Sequence, residues 1–250
     1  HRDLHSFPTR RSSDLVGSGI GSSAASVVAA VRAFNEFYGT PLDDAAELEL
    51  MGRMEAELSG GLHWDNILPC ALGGLRLGSR SLPVPAGWVF LIAYPGIRLE
   101  TKAMRAVLPP TVSLHDAVEG AARLGRFVDA LHRGDGAAAA AEMTDPLVEP
   151  HRAPLIPGFA TVRDGLLSAG ARAAGISGSG PTVFGLFDDN KKADAAMAKA
   201  ALWTDAVSGK PCDSPDGARC SADKGAFVVL CEVDTAGARV VNADKRENGR

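Results

Sequence analysis

Two glycine-rich turns hold the most specific chemistry in this sequence. In GSGIGSSAAS, running from Gly17 to Ser26, three glycines stand directly before a helix start. Backbone N–H groups at such a start lack intrahelical partners, and the helix dipole adds a positive end, so the place suits an anion. Gly17, Ser18, Gly19, Ile20, Gly21, Ser22, Ser23 and Ala24 are therefore a candidate phosphate cradle, with the Ser22 and Ser23 hydroxyls available to a phosphate or a metal. The turn is not of the Walker type, because no Lys follows its last glycine, and no strand is read ahead of it as a dinucleotide fold requires. A turn used only for packing is the competing reading. The second turn, SGSGPTVFGL from Ser177 to Leu186, lies between two strands. A tight hairpin accounts for Gly178 and Gly180, which permit positive φ and close backbone approach. It does not account for Ser179 beside Pro181.

Charged and polar residues add a second layer. At about 100° per residue along a helix from Asp43 to Leu58, Leu48, Met51, Met54 and Leu58 share one side and Glu55 falls among them, while Glu49 and Glu57 point away. An inward carboxylate needs a partner, either a Mg²⁺ on nucleotide phosphates or a buried Arg. His63, Asp65 and Asn66 follow in the polar stretch SGGLHWDN and suit hydrogen bonding to a small polar substrate, although Asp65 could equally cap a helix beginning near Asn66. Arg105 in ETKAMRAVLP and Arg152 in EPHRAPLIPGF each stand in a segment stiffened by proline. Their planar forks fit a carboxylate in bidentate fashion if the fold brings them together.

The elements that must position these residues are readable from periodicity. Val27, Val31, Phe34 and Tyr38 recur at helical spacing after Ser22, so a helix with an apolar face is expected there, ended by Gly39, Thr40 and Pro41. A short helix is expected over Ile67 to Leu72. Further helices are expected at Thr101 to Val107, Ser113 to His132, Gly136 to Met143, Gly158 to Ala169 and Ala193 to Val207. Strands are expected at Trp88 to Tyr94, Ala171 to Ile176, Thr182 to Phe187 and Ala226 to Val233. That order predicts an α+β fold with helices on one sheet face. Lys210 to Lys224, rich in Pro, Gly, Asp and Ser, reads as a solvent loop.

Composition bounds the function classes. The 250 residues are 46% hydrophobic and 22% charged, with a net charge of −4, which is ordinary for a folded globular chain. With no Lys/Arg block there is no electrostatic footprint for nucleic acid or an anionic membrane, and no apolar run is long enough to span a bilayer. Cys70, Cys212, Cys220 and Cys231 form neither a disulfide framework nor paired CxxC zinc ligands, so a reducing cytoplasm is expected. The first fifteen residues, HRDLHSFPTRRSSDL, show no structural period and lack the apolar core of a signal peptide. They read as a leader of foreign origin.

GSGIGSSAAS, EAELSGGLHWDN and SGSGPTVFGL together resemble the motifs of the GHMP small-molecule kinases. YPGIRLETKAMRAVLP, EPHRAPLIPGF and VDTAGARV are similar to the branch of that family that acts on L-homoserine, and the likeness runs from about Val16 to Val241. The resemblance implies an α+β, two-domain fold: a leader over 1–15, the remainder of an ATP-binding N-terminal domain over 16–80, and a C-terminal domain over 81–250 built as a ferredoxin-like α/β sandwich. It implies phosphoryl transfer from ATP, with Mg²⁺, to the side-chain hydroxyl of L-homoserine, a step of threonine biosynthesis.

On the matching positions, Gly17 to Ala24 would wrap the triphosphate, and Glu55 with one serine of Ser22 and Ser23 would hold Mg²⁺. His63, Asp65 and Asn66 would approach the amino and hydroxyl groups. Thr101, Arg105 and Arg152 would clamp the substrate carboxylate, and the Gly178 to Thr182 turn, with Ser179, would close the site. Asn66 cannot take a proton, so it is assigned to orienting the hydroxyl. The implied partners are ATP and L-homoserine, with no nucleic acid or membrane; a homodimer stays open. The family carries a substantial segment ahead of the phosphate loop that is expected to be absent here, and Leu15 stands where a proline is expected. The expectation is that the remaining half-domain folds poorly or is inactive. Two alternatives stay open: another GHMP kinase of mevalonate or shikimate type, and an inactive remnant that binds nucleotide.

Overall fold

The computed structural model describes residues 17–59, 61–209, 219–220 and 225–240. The expected leader and most of the Lys210 to Lys224 segment, Cys212 included, lie outside them. In chain order the elements are α1 (Ser22–Phe37), α2 (Asp44–Ser59), α3 (Trp64–Leu72), β1 (Leu75–Leu77), β2 (Arg80–Leu82), β3 (Val89–Tyr94), α4 (Thr101–Ala106), α5 (Leu114–His132), α6 (Gly136–Ala141), α7 (Glu149–Arg152), a 3-10 turn (Ala153–Leu155), α8 (Phe159–Ser168), β4 (Ala173–Ile176), β5 (Val183–Phe187), α9 (Asn190–Ser208), β6 (Arg219–Cys220) and β7 (Phe227–Cys231). This is an α+β fold. It divides into two compact units, one of His1–Ser22 with Pro83–Val233 and the other of Ser23–Leu82 with Asp234–Arg250.

The first unit is built on a wholly antiparallel sheet in the order β4-β5-β3-β7-β6. Alternation along the strands sends Val89, Leu91, Ala93, Val183, Phe187 and Val228 to the face covered by α8 and α9, where they form the main core with Phe159, Leu166 and Trp203. Tyr94, Phe227 and Val229 form a smaller cluster against which Ile92 and the loop residue Ile20 pack. The region read as a solvent loop contains the two-residue strand β6, paired with β7 through Arg219↔Val228 and Cys220↔Phe227. A two-residue edge strand has too little periodicity to read from sequence.

In the second unit α1, α2 and α3 share a core of Ala24, Val27, Val28, Val31, Met51, Ile67 and Ala71. The expected apolar stripe on α1 is corrected here. The packed face runs Ala24, Val27, Val28, Val31 and Asn35, whereas Phe34 is 64% and Tyr38 69% exposed. Asn35 ends that face by bonding the turn behind it: its Nδ2 donates to Leu42 O at 3.1 Å and its Oδ1 accepts from Leu42 N at 3.0 Å. On α2, Met51 is buried but Met54 is 38% and Leu58 69% exposed, so the inward face is rotated toward Glu47, Met51 and Glu55. Glu47 pairs with Arg32. Helix α3 begins at Trp64, earlier than expected, with His63 rather than Asp65 at its N-cap.

Two glycines tie the chain's later segment to α3. Gly73 N–H and Gly237 pass so close that a Cβ on Gly237, at φ +69°, would lie 2.5 Å from Ala71 O and 2.6 Å from Gly73 N. Ala238 N donates to Cys70 O at 3.0 Å in the same crossing. Gly237→Ala is therefore expected to cost about 2–4 kcal/mol, from backbone strain and a clash with backbone that cannot yield. A thermal melt would read it as a lowered Tm, and an unchanged Tm would mean that the 234–240 segment does not dock through this crossing.

Candidate functional site

The two glycine-rich turns meet, both within the first unit. Gly17, Gly19 and Gly21 hold φ of +75°, +83° and +72°, a region that side chains avoid. A Cβ on Gly19 would lie 2.5 Å from Ser177 O and 2.7 Å from Gly180 N, and one on Gly178 would lie 2.7 Å from Gly19 O. Ser177 Oγ donates to Gly19 O at 3.0 Å, and Thr182 N donates to Ser18 O at 3.1 Å. The second turn is itself closed by Ser177 N to Thr182 O at 2.8 Å and Gly180 N to Ser177 O at 2.9 Å. Glycine at 19 and 178 is thus demanded by contact between the two backbones and not by hairpin geometry alone. At this junction Ser18 and Thr182 are buried, and neither hydroxyl has a hydrogen-bond partner among the described residues. Unsatisfied hydroxyls at a glycine-rich loop that runs into a helix start are what an anion site leaves when no anion is present.

Arg105 and Arg152 come to the same turn. Arg152 Nε donates to Met104 O at 3.1 Å and its Nη1 to Gly178 O at 3.0 Å, so the guanidinium bridges α4 and the glycine turn. Burial holds the Arg152 guanidinium below its ordinary range; the neighbouring charge of Arg105 pushes the same way, and Asp145 opposes both. Two cations near enough to disfavour one another make a place for an anionic group. Thr101 opens α4 one helical turn before Arg105, on the same face of that helix. Ser179 lies within the turn itself. Arg98 is an addition that the sequence reading did not single out. Its Cγ would lie 2.8 Å from a Cβ on Gly17, and Leu99 N donates to Gly17 O at 3.3 Å. Its one sequence signal is a position just beyond the Pro95–Gly96 stop of β3.

In the second unit, Ser23 in the first turn of α1 donates through Oγ to Glu55 Oε1 at 2.9 Å, and Glu55 is 1% exposed. A buried carboxylate joined to a hydroxyl is a hard oxygen donor set of the kind Mg²⁺ takes when phosphates and water complete its shell. No group of three His, Cys, Asp or Glu side chains gathers among the described residues, so an all-protein cage is not what these residues offer. Residues that suit the ion are Ser22, Ser23 and Glu55. His63 caps α3, and Asp65 and Asn66 lie exposed in its first turn.

Glycine loop, serine-headed helix, buried acid and arginine-flanked glycine turn are the parts of a small-molecule kinase. The family described as GHMP kinases N terminal domain matches residues 8–74, and GHMP kinases C terminal matches residues 127–202. The chain belongs to the GHMP kinase family. Among solved structures it is similar to homoserine kinase from Cytophaga hutchinsonii ATCC 33406, with 32% identity and a TM-score of 0.78 over 95% of this chain and 70% of that one. A proposed homoserine kinase from Listeria monocytogenes aligns at 25% identity and TM-score 0.55 over 90% of this chain and 71% of that one. Mevalonate kinase from L. major shares the fold at 18% identity and TM-score 0.59, over 85% of this chain and 66% of its own. Among the described residues no helix is long and apolar enough to cross a membrane.

Proposed function

We propose that this chain transfers the γ-phosphoryl group of ATP to the side-chain hydroxyl of L-homoserine, forming O-phospho-L-homoserine and ADP. The observation that carries the reading is the seating of the Gly17–Gly21 loop on the Ser177–Thr182 turn, with Arg152 bonded to the turn from its other side. Resemblance to homoserine kinase structures supports the choice of substrate.

In this reading the loop amides hold the phosphate chain, and the helix start at Ser22 adds its dipole. Glu55 and Ser23, with Ser22, hold Mg²⁺, which neutralises charge on the phosphates. Arg105 and Arg152 take the substrate carboxylate, with Thr101 beside them. Asp65 and His63 take the ammonium end, and Asn66 orients the hydroxyl. The hydroxyl oxygen forms its bond to phosphorus as the bond to the bridging oxygen breaks. Alignment and charge neutralisation supply most of the acceleration, so no strong base is needed.

Coupled measurement of ADP release tests this directly. L-homoserine is expected to drive turnover where mevalonate and shikimate do not. Turnover with either of those and none with L-homoserine would overturn the substrate while leaving the kinase. Calorimetric binding of Mg·ATP without turnover of any of the three would identify a nucleotide-binding protein that has lost its chemistry.

A further inference from the structure

Helix α5 is apolar on the side that nothing covers. Its packed side faces α6 and the segment after it, where Arg126 Nε donates to Glu142 at 2.8 Å and Arg123 Nη1 to Thr144 at 2.8 Å, and its buried residues are Ala130 and Leu131. The opposite side carries Leu114, Val118, Ala121, Gly125, Val128 and His132 at steps of 4, 3, 4, 3 and 4. That is the seam of a two-stranded coiled coil. Leu114 is 82% and Val118 59% exposed, and Leu124 beside the seam is 48% exposed.

The order of sizes along this seam reads nearly the same in both directions: large, medium, small, small, medium, large. Set antiparallel to a copy of itself about a two-fold axis at its middle, the seam places Leu114 against His132, Val118 against Val128 and Ala121 against Gly125. The small central pair lets the two backbones approach. The flanks agree. His115 and Asp129 lie on the same flank at opposite ends, so the two-fold sets each His115 beside the other copy's Asp129, which also bonds Arg133 of its own chain at 2.9 Å. A parallel pairing would set Asp129 against Asp129.

We infer that the exposed face of α5 is a docking surface for a second copy of this chain, joined antiparallel through Val118, Ala121, Gly125 and Val128. The inference is independent of the substrate and uses no residue assigned to the site. One helix pair is a small interface, so the dimer is expected to dissociate in the micromolar range.

Sedimentation velocity of the chain across that range tests it. The expected result is a monomer–dimer equilibrium that Val118→Glu abolishes without changing the circular dichroism or the thermal melt, because position 118 faces solvent in the monomer. His115→Asp is expected to weaken the dimer by roughly tenfold through like-charge apposition. Adding Asp129→His to that variant is expected to restore it. A chain that stays monomeric throughout, or a dimer that survives Val118→Glu, would overturn the inference, as would a doubly swapped variant no tighter than His115→Asp.

Discussion

Replacing Arg152 by Ala is expected to raise KM for L-homoserine by roughly 10–150-fold, the equivalent of about 1.5–3 kcal/mol for a charge-assisted contact. The side chain does two things at once in this reading. Its Nε and Nη1 are held by Met104 O and Gly178 O, which fix the plane of the fork. The remaining N–H groups, on a cation already burdened by Arg105, are what a carboxylate would meet. Because the carboxylate is bound alike in ground and transition states, KM should move more than kcat. Arg152→Lys should rescue little, since an ammonium cannot serve two carbonyls and a carboxylate in one plane. Steady-state kinetics in both substrates decide it. An equal rise in KM for ATP would assign Arg152 to holding the turn, and an unmoved KM for L-homoserine would remove it from the substrate.

The parts of this site legible in the sequence are those written in backbone chemistry. Glycines at 17, 19, 178 and 180 announce positive φ and close approach, and the chain uses them so, but that the two turns would touch each other is a long-range fact that no local spacing encodes. Long apolar runs gave β3, β5 and β7 nearly to the residue because a buried strand has little else to be. Side-chain orientation on the helices was less readable. The α1 stripe through Phe34 and Tyr38 was plausible by spacing alone, and what displaces it is Asn35 turning inward to bond Leu42. On α2 the inward direction of Glu55 was recovered from a stripe that was itself partly misplaced, since Met54 and Leu58 are exposed. A single helix with two buried acids has a weak hydrophobic period, and Glu47 was missed for that reason. Hairpin β1–β2 escaped notice because three-residue strands show no period.

Those two inward acids of α2 make the sharpest test of the metal assignment. Glu55→Gln is expected to lower kcat by about 100-fold or more and to shift the Mg²⁺ titration to higher concentration, because a neutral amide oxygen is a poor substitute for a carboxylate on a hard cation. Folding should survive: the amide oxygen can still accept from Ser23 Oγ, and burying an amide costs less than burying a charge. Glu47→Gln should do the opposite. It removes the carboxylate paired with Arg32 and leaves a guanidinium without its counter-charge, so the Tm falls while the Mg²⁺ dependence stays at the wild-type value. The two changes are chemically identical, both residues are 1% exposed, and they stand eight residues apart on one helix. Burial and helix propensity therefore cancel between them. What differs is the partner: a hydroxyl at the start of the phosphate-loop helix for one, an arginine for the other. A wild-type Mg²⁺ titration for Glu55→Gln would take the ion away from this acid whatever happened to kcat.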